Sequence, residues 1–170
     1  MSDFHISRIA FALLPLFAAC GDDEPSGPAT SFSATLSGEE EVPAVVTPAS
    51  GTAVLDIIGD QINYTVNVSA LTNPVVSHIH IAPVGENGPV RLNLCGTPDT
   101  PACAIGDGVL IAGSNGVTVG SPVITFDDLV EAMRTGNAYV NVHTNDGVGQ
   151  PNTGAGDMQS GEIRGQIVGE

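Results

Sequence analysis

The stretch Gly51–Val68, GTAVLDIIGDQINYTVNV, decides the fold. From Ile62 to Val68 every second residue is apolar and the residues between are polar, which is the pattern of a strand with one buried face and one face in water. The two runs are separated by Gly59-Asp60. A two-residue loop that begins with glycine is typical of a type II′ turn. The stretch therefore predicts a tight antiparallel hairpin.

Other short strand-like runs follow the same pattern along the chain. They lie at residues 32–36, 77–82, 90–94, 108–112, 138–144 and 161–168. A helix is predicted at residues 126–135, with Thr125 as its N-cap and Asp128 at the third position. Short strands separated by turns favour an antiparallel β-sandwich, Greek-key-like, with one short helix. Strand parity places these residues on buried faces: Tyr64, Val66, Val140, Val142, Ile163 and Ile167.

Composition narrows the range of partners. The chain carries 19 acidic residues against four basic ones, for a formal net charge of −15. Nucleic acids and anionic membrane surfaces bind clustered positive charge, so neither is expected as a partner. Cations and basic molecules are favoured instead.

The N-terminus indicates export. An apolar run ends in Phe17-Ala18-Ala19-Cys20, which resembles a bacterial lipoprotein signal in which the cysteine is lipidated. We expect a signal peptide at 1–19, lipidated Cys20 with a flexible tether at 20–31, and one domain at 32–170. The protein would then be lipid-anchored in the cell envelope, periplasmic or on the surface, and would meet the membrane only through that anchor. Ordinary secretion with cleavage nearby is the alternative.

Two further cysteines are expected to pair. Cys95 and Cys103 lie in CGTPDTPAC, a segment with no helical or strand pattern. In an oxidising compartment such a pair predicts a disulfide. Closing this short loop would stabilise the fold by roughly 2.5 kcal/mol. The spacing matches no zinc-finger pattern.

Three histidines form the candidate functional site. His78 and His80 share one face of a strand, and His143 lies on a polar face of another, together with Asn141. On the last strand the polar side carries Glu162 and Arg164. If these strands are neighbours, three imidazoles converge and suit Zn²⁺ or Cu²⁺. Glu162 would be a fourth metal ligand, or a hydrogen-bond acceptor for the histidine ligands. Asn141 and Arg164 would lie outside the ligands and surround them.

A hydrogen-bonded polar network is the alternative interpretation of these residues. In it Glu162 pairs with Arg164, and the histidines bond backbone carbonyls. The acidic run Glu39–Glu41 and the loop with Asp146 and Asp157 lack the spacing of known Ca²⁺ motifs and are expected to be solvated surface.

Several motifs, taken in order, resemble the CHRD domain of chordin and of exported bacterial proteins. They are Phe32-x-Ala34-x-Leu36-Ser37-Gly38, Glu41-Val42-Pro43, Ser50-Gly51-x-Ala53, His78-Ile79-His80, Gly85-x-Asn87-Gly88-Pro89-Val90, Gly136-x-Ala138-Tyr139-Val140-Asn141-Val142-His143-Thr144 and Gly161-Glu162-Ile163-Arg164-Gly165-Gln166. The resemblance covers about residues 32–168 and implies a small extracellular β domain. The His-x-His strand also resembles that of copper/zinc superoxide dismutase, but the other histidines of that enzyme are missing, so dismutase activity is not expected.

Three functions follow as hypotheses. The first is a cell-surface binding module without catalytic role, whose loops, above all residues 145–160, meet an extracellular protein or glycan. The second is a metal-binding lipoprotein that uses the histidine patch. The third is a metal-dependent enzyme. Hydrolytic or nucleophilic catalysis has less support, because the sequence has no Gly-x-Ser-x-Gly motif and no reactive free cysteine.

Overall fold

The structure is a computed structural model that describes residues 28–170. The signal peptide, Cys20 and most of the tether lie outside the described residues. The strands are β1 (Ser31–Ser37), β2 (Ser50–Ile58), β3 (Gln61–Ser69), β4 (Pro74–Ile81), β5 (Val90–Cys95), β6 (Gly108–Asn115), β7 (Ala138–Thr144), β8 (Ile163–Gln166) and β9 (Val168–Gly169). One helix, α1 (Phe126–Arg134), precedes β7, and a 3₁₀ turn (Gly38–Glu40) follows β1.

The hairpin of β2 and β3 forms as the sequence predicts. The two strands pair antiparallel from Ile58↔Gln61 to Ser50↔Ser69. Gly59 takes a φ of 61°, the left-handed value that the first position of a type II′ turn requires. The alternating apolar residues of β3 are buried and the polar residues between them are half-buried or exposed.

All strands pair antiparallel in one continuous sheet of order β5-β4-β7-β8-β1-β2-β3-β6, with β9 against β1. The mainly β, antiparallel fold class with one helix is confirmed. The fold differs from a two-sheet sandwich in detail: the strands form one sheet, because β1 pairs with β2 on one side and with β8 and β9 on the other. The sheet curls until its ends meet. There Tyr64 Oη donates to the Leu94 carbonyl at 3.0 Å, and Asn115 Nδ2 donates to the Asn93 carbonyl at 3.0 Å.

Helix α1 begins with the predicted capping box. Thr125 Oγ1 accepts from the Asp128 amide at 3.1 Å, and Asp128 Oδ2 accepts from the Thr125 amide at 2.9 Å. These two bonds satisfy donors that the first turn of a helix leaves without partners. Leu129 and Met133 are fully buried and attach the helix to the core.

The predicted disulfide between Cys95 and Cys103 is present. The core contains all six residues that strand parity assigns to buried faces, each at most 5% exposed. Within residues 28–170 no helix is long and apolar enough to span a membrane.

Strands β4, β7 and β8 position the site. Their inward residues Ile79, Val140, Val142 and Ile163 are completely buried. The alternate residues point to the outer face of the sheet. Loops 38–49, 82–89 and 145–162 reach this face, where Glu41 bonds Asn141, Gly88 bonds His80 and Gln159 bonds His143. The outer face of these three strands is therefore polar and covered.

Candidate functional site

Strand register brings the three histidines together. His78 and His80 flank the buried Ile79 on β4 and so share the outer face. Strand β7 pairs with β4 so that His78 lies opposite Asn141 and Val76 lies opposite His143. Directly opposite residues on one face of a sheet stand about 5 Å apart at Cβ, so neighbouring side chains touch. Two strands thus suffice to build the cluster.

The histidine cluster, defined as His78, His80 and His143, is compact. Each side chain offers one ring nitrogen, and these atoms all lie within 4.8 Å of one another. The ring centroids are 5.3 Å apart for His78 and His143, 5.7 Å for His78 and His80, and 6.1 Å for His80 and His143. These distances place three imidazoles around one common point.

Two of the histidines are oriented by backbone carbonyls. His80 Nδ1 lies 2.9 Å from the Gly88 carbonyl oxygen, and His143 Nδ1 lies 2.9 Å from that of Gln159. A carbonyl accepts only, so in both rings Nδ1 carries the proton and Nε2 keeps its lone pair. Histidines that bind metals are held in this way by the nitrogen that does not face the ion.

The nitrogens that remain have no partner. His78 Nδ1, His80 Nε2 and His143 Nε2 are buried, and none makes a hydrogen bond with any atom of residues 28–170. A buried polar atom without a partner costs free energy, so three in one cluster require an explanation. Three converging lone pairs are the ligand set that Zn²⁺ and Cu²⁺ accept.

Electrostatics keeps the cluster uncharged. Burial, together with smaller contributions from the neighbouring His143 and His80, lowers the pKa of His78 to about 3. Burial likewise lowers the pKa of His80 to about 4, against the opposing effect of the Gly88 carbonyl, while His143 and Arg164 add to the lowering. Burial also lowers the pKa of His143. All three rings are neutral at pH 7, the form that binds metal.

The loop that orients His80 is held close to β4 by a glycine. A Cβ atom on Gly88 would collide with the backbone of Ile81. Because this residue has no side chain, its carbonyl reaches His80 and its amide lies 3.2 Å from Tyr139 Oη.

Tyr139 and Arg164 extend the site away from the histidines. The Tyr139 ring stacks on His80 with centroids 4.8 Å apart, and the Arg164 guanidinium carbon lies 3.4 Å from the Tyr139 ring centroid. Strands β4 and β8 flank β7 on opposite sides, so the tyrosine lies between the imidazole and the cation. Arg164 is 1% exposed and also donates to Asn87 Oδ1 at 3.3 Å.

Glu162 is placed apart from the histidine cluster. Its carboxylate accepts hydrogen bonds from Thr47 Oγ1 at 2.6 Å, Thr144 Oγ1 at 2.6 Å and the Gly156 amide at 2.7 Å. Both oxygens are engaged, and the group of potential metal ligands does not include them. In this structure Glu162 fastens loops 38–49 and 145–162 to β7, while Arg164 has other partners.

Two acidic residues that the sequence assigns to solvated surface are buried. That expectation is wrong for Glu41, which is 7% exposed, and for Asp157, which is 3% exposed. Glu41 is the one that sequence reasoning missed as part of the site. Its Oε2 accepts from Asn141 Nδ2 at 3.2 Å. Burial raises its pKa to about 7, although Asn141 and Arg164 act in the opposite direction. The sequence holds one sign that Glu41 differs from its neighbours. The motif that resembles the CHRD domain includes Glu41-Val42-Pro43 but not Glu39 or Glu40.

These observations define a class of protein: a curled antiparallel β domain with a polar site on the outer face of three strands, under loops. The family model for the CHRD domain matches residues 32–167. The chain belongs to the CHRD domain family, as the motifs indicated. No curated protein matches the chain.

Proposed function

We propose that this protein is an exported, envelope-anchored binding protein whose ligand is a transition-metal ion, Zn²⁺ or Cu²⁺, held by His78, His80 and His143. One observation carries the proposal. One ring nitrogen of each histidine lies within 4.8 Å of the others, and each ring has a buried nitrogen without a hydrogen-bond partner. The alternative of a closed hydrogen-bonded network accounts for the two Nδ1 atoms that meet carbonyls, but leaves these three nitrogens without a role.

The spacing suits an ion after a small adjustment. Nitrogens about 2.0–2.1 Å from one tetrahedral metal lie roughly 3.3 Å from each other. Small rotations of the imidazoles bring the cluster from its present spacing to that distance. The carbonyls of Gly88 and Gln159 hold the rings of His80 and His143 by the other nitrogen, so these ligands are largely preorganised.

Three protein ligands leave one coordination position for water or an exogenous ligand. Such an open position is a requirement for metal-dependent catalysis, but it does not define a reaction. We therefore assign binding and no reaction to this site.

Export and anchoring rest on the sequence of residues 1–31 and on the Cys95–Cys103 disulfide, which suits an oxidising compartment. Mass spectrometry of the protein from its native host should find the mature chain beginning at lipidated Cys20. A soluble product that begins elsewhere would contradict the anchor.

A cell-surface module that binds an extracellular protein or glycan is the second candidate. It is favoured by exposed valines on the three covering loops: Val46 is 97%, Val84 68% and Val148 74% exposed. Loops on a rigid scaffold commonly carry binding residues, and each of these three exposes an apolar side chain that a partner would bury.

The metal proposal is tested by metal content and by stability. Protein purified without chelator should contain close to one equivalent of Zn or Cu. For the chelator-treated protein, metal at about 100 times its Kd should add about 2.7 kcal/mol to the free energy of unfolding.

The triple variant His78→Ala, His80→Ala, His143→Ala should lose both effects and remain folded. The matched control is Asn63→Ala on the outer face of β3, which should keep both. A wild-type protein that retains no metal and shows no stabilisation by either ion would refute the proposal and leave the second candidate.

A further inference from the structure

A cavity lies between loops 38–49 and 145–162. Its volume is about 420 Å³. Much of its wall is apolar, from Val42, Pro43, Val45 and Met158, and Glu41 and Gly161 also line it. No histidine lines this cavity, so it is distinct from the proposed metal site.

Two hydrogen-bond acceptors have no donor here, one on Glu41 in the cavity wall and one on Asn141, which is bonded to Glu41. Glu41 uses Oε2 to accept from Asn141 Nδ2, which leaves Glu41 Oε1 and Asn141 Oδ1. Both of these atoms are buried, and neither has a hydrogen-bond partner among residues 28–170. Glu41 is 7% and Asn141 3% exposed. Side chains buried to this degree are nearly always satisfied, so a donor is missing.

Gly161 keeps the space beside these acceptors open. A Cβ on this residue would lie 2.7 Å from Glu41 Oε1 and 2.7 Å from Asn141 Oδ1. Its φ of 125° is also one that favours glycine. Any other residue would fill the volume next to both free oxygens.

The buried carboxyl is not neutralised within the protein. Arg164 acts on Glu41 through its charge, but its guanidinium lies over Tyr139 and donates to Asn87 Oδ1 and the Pro83 carbonyl. Burial without a full set of partners raises the pKa of Glu41 to about 7, which means that the carboxylate costs folding stability. Groups held at such a cost are frequent at binding sites.

We propose that this cavity binds a primary ammonium group carried on a short apolar stem, with Glu41 Oε1 and Asn141 Oδ1 as its acceptors. An ammonium has three donors and no acceptor, which complements a pair of free acceptors. The apolar wall suits the stem, and the net charge of −15 attracts cations to the protein. Both a free alkylamine and the side chain of a lysine have this chemistry.

The test measures binding of two probes by calorimetry to the chelator-treated full chain. The probes are n-butylammonium and Nα-acetyl-lysine methylamide, and their neutral counterparts are n-butanol and the Nε-acetylated lysine derivative. We expect saturable binding of at least one ammonium probe and at least tenfold weaker binding of its neutral counterpart. Which of the two probes binds tells a small-molecule site from a lysine-recognising one.

Variants separate this site from the metal site. Glu41→Gln keeps the shape of the side chain and should weaken ammonium binding at least tenfold, whereas Glu40→Gln, the same charge change on the neighbouring acid, should leave it unchanged. The triple histidine variant should bind the probes as the wild type does, because no metal takes part. Absence of saturable binding of both probes, equal binding of the neutral compounds, or unchanged affinity in Glu41→Gln would each overturn the proposal.

Discussion

The outer face of the sheet is open to solvent in one part and buried in another. On β3 the outward residues are polar and remain half-buried or exposed, as in the pattern from Gln61 to Ser69. On β7 and β8 the outward residues are polar as well, yet Asn141 is 3% and Arg164 1% exposed. The difference lies in the connections. The two-residue turn that joins β2 to β3 is too short to cover the outer face of either strand, whereas loops 38–49 and 145–162 cover the outer faces of β7 and β8.

This comparison shows where binding chemistry can be placed on such a fold. Polar side chains in water make their hydrogen bonds with solvent and need no others. Under the loops each polar atom must find a partner in the protein, and those that do not are left as sites for ligands. The unpartnered nitrogens of the histidine cluster and the free oxygens of Glu41 and Asn141 all lie in the covered region.

The largest expected effect separates the inner face from the outer one. Val142→Asp places a charge at a completely buried position of β7, between Asn141 and His143. An unpaired buried charge costs several kcal/mol, comparable to the stability of a whole domain, so this variant should unfold. Thr52→Asp, on the exposed outer face of β2, should change stability by less than about 0.5 kcal/mol. Circular dichroism and urea titration measure both, and a folded Val142→Asp protein would contradict the strand parity.

Strand parity was the part of the structure that the sequence could predict. Alternation of apolar and polar residues identified the hairpin Gly51–Val68, the buried side of β7 and the shared face of His78 and His80, because these depend on neighbours along the chain. The capping box at Thr125 and Asp128 is local in the same sense. The convergence of His143 on the other two required the pairing of β4 with β7, which the sequence allowed but did not specify.

The covering of the outer face could not be predicted from these patterns. Glu41 is buried because a loop following β1 folds onto β7, and its partner Asn141 lies 100 residues away. Glu162 was considered as a metal ligand, but it is engaged by Thr47 and Thr144, a contact that also depends on loop placement. The single curled sheet results from β1 pairing on both sides, which alternation within β1 does not reveal.

The second prediction compares a glycine in each region. Gly88→Ala should destabilise the protein by about 3 kcal/mol or more, because its Cβ collides with the Ile81 backbone and displaces the carbonyl that orients His80. Gly59→Ala, in the open hairpin, meets no atom within 4 Å and has only the strain of a φ of 61°. That strain costs about 1 kcal/mol. Chemical denaturation of both variants gives the difference, and equal losses would mean that loop 82–89 is not tightly seated.

The third prediction concerns acid resistance of the metal site. Free histidines take up protons near pH 6.5 and release metal, but burial lowers the pKa values of His78 and His80 to about 3 and about 4. At one fixed metal concentration, 100 times the Kd at pH 7, stabilisation by Zn²⁺ or Cu²⁺ should therefore be nearly as large at pH 5.5 as at pH 7, where it is about 2.7 kcal/mol. Thermal unfolding with and without metal at the two pH values is the measurement. Loss of the effect by pH 5.5 would show that the rings are more accessible to protons than the structure indicates.

The last prediction concerns the pH dependence of stability that Glu41 contributes. Its pKa is raised from 4.5 to about 7, so the native state holds a proton that the unfolded chain releases over this range. The stability that this residue contributes is fully present below pH 4.5 and is lost as the pH rises through 7. The buried histidines act in the opposite direction: their contribution is present above pH 6.5 and is lost as the pH falls toward 4.

Glu41→Gln isolates the contribution of the carboxyl, because the histidines contribute to both proteins. The variant lacks the titrating group, so between pH 4 and pH 8 its free energy of unfolding should rise relative to that of the wild type by about 3 kcal/mol. Glu40→Gln should show no such gain, since Glu40 is exposed. Denaturant titrations at several pH values measure the differences. If the difference in free energy of unfolding between Glu41→Gln and wild type did not change with pH, Glu41 would titrate like a solvated acid. Loop 38–49 would then not cover this carboxyl, and the contrast between the covered and the open face would not include it.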